Sequence, residues 1–211
     1  MRICTLFVKS MGLLAFLMLL AMGIAACGPS SKDATGNSPE QLYEQAYEVS
    51  SPEYGIEDKE EGLRLLSLAL DKNPNFKKAL NYRIGLLIAD GRTEEAIKDL
   101  EHLHKLTGHP EIGFSLCMAR EYVKGSPDSL ESCYQSVADK FADIIEGKLH
   151  LDLRYLMALK MADEKAFEAA KAKALSEVGP DAALWGPEQY LFEVLEMDRR
   201  KYVEEIHGAR P

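Results

Sequence analysis

Three things are scarce in this chain: basic charge, cysteine and any pattern that reads as a strand. The 211 residues hold 25 Lys and Arg against 34 Asp and Glu, a formal net charge of −9. Without a basic surplus to displace counterions from phosphates, nucleic acid is excluded as a partner. A basic or apolar protein surface suits such a chain better. No window alternates apolar and polar residues for long enough to build a half-buried strand. No GxSxG elbow, glycine-rich phosphate loop or HExxH helix occurs, so no reaction is indicated, and neither a cofactor nor a metal site is expected. Five histidines are present. His102 and His104 lie two apart, which on a helix points them about 200° away from each other. With His109 beyond them, they read as solvated or packed side chains near a helix end rather than ligands.

Charge is also missing locally. No charged residue occurs from Ser10 to Ser31, after a start that carries Arg2 and Lys9. Met11 to Ala26 is almost wholly apolar and ends in small residues. A basic start, an apolar core and a small-residue end are the parts of a secretory signal. An uncleaved membrane anchor is the alternative, but 16 strongly apolar residues are short of the roughly 20 a spanning helix needs.

The stretch Ile24-Ala25-Ala26-Cys27 resembles the lipobox of bacterial lipoproteins. The resemblance implies a thioether lipid on Cys27, cleavage before it, and an N-terminal lipid as the membrane contact. Gly28 stands where Asp resembles an inner-membrane retention signal, which implies the periplasmic face of an outer membrane. Residues 1–26 would be signal peptide. They carry two positive charges and no acid, so the mature 185 residues stand at −11. Residues 27–39 (ending GPSSKDATGNSP) are small, polar and turn-forming, a flexible tether of about 20 Å mean span.

Residues 40–211 read as all-α. Leu63, Leu66 and Leu70 share one helix face, as do Ile97, Leu100 and His104. Leu130, Cys133, Tyr134, Val137, Phe141 and Ile144 keep three-four spacing over four turns. Asp58 with Glu61 forms a capping-box pattern, and Ser126-Pro127 reads as a helix start. Pro187 and Gly208 bracket a last helix. Gly62, Leu66 and Ala69 recur 34 residues on as Ala96, Leu100 and Leu103, and again as Leu130, Tyr134 and Val137. Gly91 recurs as Gly125 in the preceding turns.

A 34-residue period with paired helices resembles the tetratricopeptide (TPR) repeat. Tyr82 to Leu100 carries the likeness, with Ile84-Gly85, the turn glycine Gly91, Ala96 and Leu100, and Asn73-Pro74 as a repeat end. The Gly85–Gly91 interval is one residue short of the family pattern, SSPEYGIED is inserted in the first unit, and the register fades after about residue 145. Repeats are expected at about 40–73, 76–107 and 109–142, then helices at Leu149–Ala162 and Glu164–Val178. The resemblance implies an α-solenoid whose first helices line a groove for a peptide or protein, with Tyr82, Leu86 and Arg120 as partner-binding candidates. Tyr122, Tyr134, Trp185 and Tyr190 are further aromatic candidates for an interface.

The function expected is an envelope scaffold that binds a protein partner. The alternatives are an immunity-type lipoprotein that neutralises a periplasmic toxin, and an enzyme. Of the four cysteines, Cys4 leaves with the signal and Cys27 takes lipid. Cys117 and Cys133 remain, each eight residues from Gly125. Equal distance from a hairpin turn gives equal height, and an exported protein retains disulfides. A disulfide between them is expected, with two buried free thiols as the alternative that helix rotation decides.

Overall fold

A computed structural model describes residues 36–51, 57–124, 130–147, 149–178 and 196–207. The described part is all-α, with no strand among those residues. Its helices are α1 (Pro39–Ser50), α2 (Lys59–Lys72), α3 (Lys77–Ala89), α4 (Thr93–Thr107), α5 (Pro110–Lys124), α6 (Glu131–Ile144), α7 (Leu153–Ala162), α8 (Glu164–Val178) and α9 (Arg199–His207). A 3-10 turn, Leu149–Leu151, precedes α7. Each helix from α1 to α8 packs on its chain neighbour, and α9 packs on α5. Among the described residues no helix is long and apolar enough to cross a membrane.

The helix starts follow from capping. Ser38 accepts from the Gln41 amide while the Gln41 side chain accepts from the Ser38 amide, with Pro39 in the first turn. This reciprocal pair satisfies two orphan N–H groups. Helix α1 therefore starts at Pro39, one residue before the expected start of the first repeat. Asp58 accepts from the Glu61 amide at 3.0 Å. The Glu61 carboxylate does not return the bond; it pairs with Arg64 at 2.6 Å instead. Asp152 accepts from the Arg154 and Tyr155 amides, so α7 starts at Leu153 rather than Leu149. Ser126, Pro127, Pro187 and Gly208 lie outside the described residues.

The nine residues at 34-residue spacing are all buried: Gly62, Leu66, Ala69, Ala96, Leu100, Leu103, Leu130, Tyr134 and Val137. Gly62 sits where a Cβ would come within 2.6 Å of the Ser50 Cβ and Oγ, so α1 and α2 approach as closely as they do only because the side chain is absent. Gly91, at φ 73°, makes the left-handed turn between α3 and α4 that an L side chain resists. Ile144 departs from the expected stripe. It is 56% exposed, at the last residue of α6.

The second half closes around a core of its own. Tyr134, Phe141, Leu156, Met161, Phe167 and Val203 are buried together. Three polar groups inside it match one another. The Tyr134 hydroxyl donates to Glu121 at 2.8 Å, and Arg199 donates to both Glu121 oxygens at 2.9 Å and to the Met161 carbonyl at 2.9 Å. Burial, followed by the Glu121 charge, pushes the Tyr134 hydroxyl far above its ordinary pKa. This tie fixes α9 across α5, α6 and the end of α7.

Candidate partner-binding face

Helix α1 divides its surface by period. Leu42 and Ala46 are fully buried and Ser50 nearly so. Tyr43 and Tyr47, one turn apart, stand on the next strip of surface and are half-buried. Glu40, Glu44 and Glu48 occupy the strip after that and are exposed, as 100° per residue requires.

Helix α3 brings Tyr82 against that tyrosine strip. The Tyr82 ring lies 5.3 Å from Tyr47 and 6.1 Å from Tyr43, and Tyr43 meets Phe76 edge-on at 5.7 Å. The Tyr82 hydroxyl is 3.0 Å from Ser50 Oγ, and Ser50 donates to the Ala46 carbonyl at 2.6 Å. Arg83, the next residue, is held on the other flank. It grips Asp99 of α4 with two bonds of 2.7 Å and Ser67 of α2 at 3.1 Å. That fork fixes the rotation of α3, so Tyr82 is presented toward α1 while remaining half-exposed.

The four rings form one aromatic patch, edge-on or tilted, as ring quadrupoles prefer. Partial burial raises the Tyr43 pKa, and the nearby Glu44 charge adds to it. Beside Tyr82 on α3, Asn81, Gly85 and Ala89 are exposed, and a Cβ at Gly85 would meet nothing within 4 Å. Lys78 lies on the same side, one turn back.

Of the residues expected to bind a partner, Tyr82 alone lies on this face. Leu86 does not. It is 8% exposed, and its Cδ1 packs 3.2 Å from the position a Gly62 Cβ would take. One turn beyond Tyr82 the helix face has already rotated into the α2 contact. Arg120 is also placed elsewhere. It pairs with Glu101 of α4 at 2.8 Å and lines a cavity of about 350 Å³ with His104, Lys105, Cys133 and Lys140. Tyr82 and Arg120 thus look toward different neighbours. Tyr134 belongs to the core, and Tyr122 is 37% exposed at the end of α5. Cys27, Trp185 and Tyr190 lie outside the described residues.

Sequence reasoning missed Tyr43, Tyr47 and Phe76. The i, i+4 tyrosine pair was a visible signal, but its meaning depends on α1 lying beside α3. Cys117 and Cys133 are joined, with Cα atoms 6.0 Å apart. His102 accepts or donates at 3.1 Å to the Pro74 carbonyl and to Asn75. His104 packs on Gly113, where a Cβ would come within 3.0 Å of its ring. Among the described residues no three His, Cys, Asp or Glu converge as metal ligands. Comparison with protein-family models, curated proteins and solved structures returns no match.

Proposed function

We propose that this chain is a lipid-anchored protein of the bacterial cell envelope that holds a protein partner on the α1–α3 face. In this reading its helical hairpins stack as TPR-like repeats. The observation that carries it is the half-exposed patch of Tyr43, Tyr47, Phe76 and Tyr82. Tyrosine is enriched at protein interfaces, where it offers large rigid contact area and a polar tip. The stacking is supported by the burial of all nine positions that recur at 34 residues. Anchoring is supported by the IAAC sequence that follows the apolar core. The presence of Gly28 rather than Asp favours the outer membrane.

Binding suits the molecule better than catalysis. The one deeply buried acid–tyrosine–arginine group described above is mutually satisfied, as a structural tie would be.

The test combines anchoring and binding. Wild-type protein should take up a fatty-acid analogue, and Cys27→Ser should not and should remain unprocessed. Tyr47→Ala with Tyr82→Ala should lose capture of the native partner while far-ultraviolet circular dichroism stays helical. Arg120→Ala should retain capture. Unlabelled wild-type protein sinks the anchor, and undiminished capture by the double variant sinks the face.

A further inference from the structure

Several of the described carboxylates are matched with cations. Glu61 pairs with Arg64, Glu95 with Arg92, Glu101 with Arg120, Glu111 with Arg154, Glu204 with Arg200 and Glu205 with Lys201. On helix α1 none is. Its sequence, PEQLYEQAYEVS, contains no basic residue. Glu40, Glu44 and Glu48 stand on successive turns, all exposed. Like charges at i, i+4 destabilise a helix by roughly 0.2–0.5 kcal/mol per pair. Glu48 also sits in the last turn, where the helix dipole disfavours an anion. The isolated chain therefore carries an unfavourable acidic stripe, and it runs directly along the aromatic strip of Tyr43 and Tyr47.

On the far side of the rings the surface is low. Gly85 is an exposed glycine inside a helix, which costs about 1 kcal/mol relative to alanine. Nothing occupies the space a Cβ would fill there. Lys78 contributes one positive charge on that side against the three carboxylates on α1. An occupant of this face meets aromatic rings in the centre, carboxylates along one edge and open backbone along the other.

We propose that the α1–α3 face binds an arginine-bearing segment of the partner, with guanidinium groups stacked on Tyr43, Tyr47 and Tyr82 and bonded to the Glu40–Glu44–Glu48 edge. This rests on the reading of the face as a partner site and adds the partner's chemistry. Arginine fits where lysine does not. Its planar group lies flat on an aromatic face and presents a fork of donors to a carboxylate, whereas an ammonium is a hydrated point charge. The stripe from Glu40 to Glu48 extends about 12 Å at 1.5 Å per residue. That length accepts two or three arginines one helical turn apart, or alternate residues of an extended segment.

The experiment is a titration of the detergent-solubilised protein with labelled alanine-based helical peptides, followed by fluorescence anisotropy. One peptide carries arginines at i, i+4 and i+8, one carries lysines there and one glutamates. The arginine peptide should saturate a single site, the lysine peptide should bind several-fold more weakly, and the glutamate peptide should not bind. Glu44→Gln with Glu48→Gln should weaken the arginine peptide about tenfold, and Tyr47→Ala similarly. Glu164→Gln with Glu168→Gln removes the same charge from α8 and should change nothing. Equal weakening by the α8 pair would mean unspecific attraction to an acidic protein and overturn the proposal. So would lysine binding as tightly as arginine. If the native partner still depends on Tyr47 and Tyr82 but the arginine peptide shows no site, the partner face stands and its chemistry is wrong. If native capture ignores both tyrosines, both readings fall.

Discussion

Tyr82 and Tyr134 show how differently the two halves of this protein use the same side chain. Tyr82 keeps part of its ring in solvent, rests its hydroxyl on Ser50 and lies among three other partly exposed rings. Tyr134 is 0% exposed, donates to Glu121 and has the Arg199 guanidinium 5.3 Å above its ring. Around Tyr82, aromatic surface is left partly exposed beside the acids of α1. Around Tyr134, the ring is sealed and Glu121 takes both Arg199 and the Tyr134 hydroxyl. An open face suits recognition, and a closed one supplies the rigid body that presents it.

The largest way to break this contrast is to remove the acid from the closed half. Glu121→Ala leaves Arg199 partly buried without its partner and the Tyr134 hydroxyl unpaired. Stripping one member from such a buried pair costs about 3–5 kcal/mol. Urea denaturation should show a loss of that size. A change within error would mean that α9 is not held as described.

The second prediction uses pH. His207 is 0% exposed, and neither ring nitrogen has a hydrogen-bond partner. Burial lowers its pKa to about 4. A lowered folded value means that the unfolded chain takes up the proton first as pH falls. The neutral ring is without penalty above about 6.5, the unfolded value, and stability is lost from there down to about 4. The loss is about 3 kcal/mol over that window. Denaturation of wild type and His207→Leu at pH 7.5 and 4.5 isolates it from the carboxylates. The variant should lose much less stability on acidification; parallel losses contradict a buried neutral ring.

The smallest effects come from two glycines and sharpen the comparison by sign. Gly62→Ala forces a Cβ to within 2.6 Å of Ser50, and overpacking of this kind costs about 1–3 kcal/mol. Gly85→Ala meets open space and should stabilise by up to about 1 kcal/mol through helix propensity. Thermal melts of the two variants should therefore move in opposite directions. A destabilised Gly85→Ala would mean that the α3 surface is more crowded than described.

Much of the helical frame was legible because it depends on local rules. Asp58 and Gly91 act through their own neighbours, and residues repeated every 34 positions mark faces that are buried together. The disulfide followed from height in a hairpin, with rotation left open until the 6.0 Å Cα separation. What failed to show depends on which helix lies beside which. Leu86 is four residues from Tyr82 and was expected on the same face, but the α2 contact claims it. Ile144 keeps its period and loses its neighbour. Tyr43 and Tyr47 precede the insertion between α1 and α2, where the repeat register is hardest to extend, so their meeting with Tyr82 left no spacing to read. The acid stripe on α1 was present in the sequence, but its place beside the four rings depends on α1 lying next to α3.

The central claim is that this protein meets its partner through the α1–α3 face. A photocrosslinking amino acid placed at position 47 in intact cells tests it most directly, with position 144, more exposed but remote from the four rings in the chain of contacts, as its companion. The account predicts a single defined protein adduct from position 47, lost on Tyr82→Ala, and none from position 144. No adduct from position 47, or the same adduct from position 144, would contradict it.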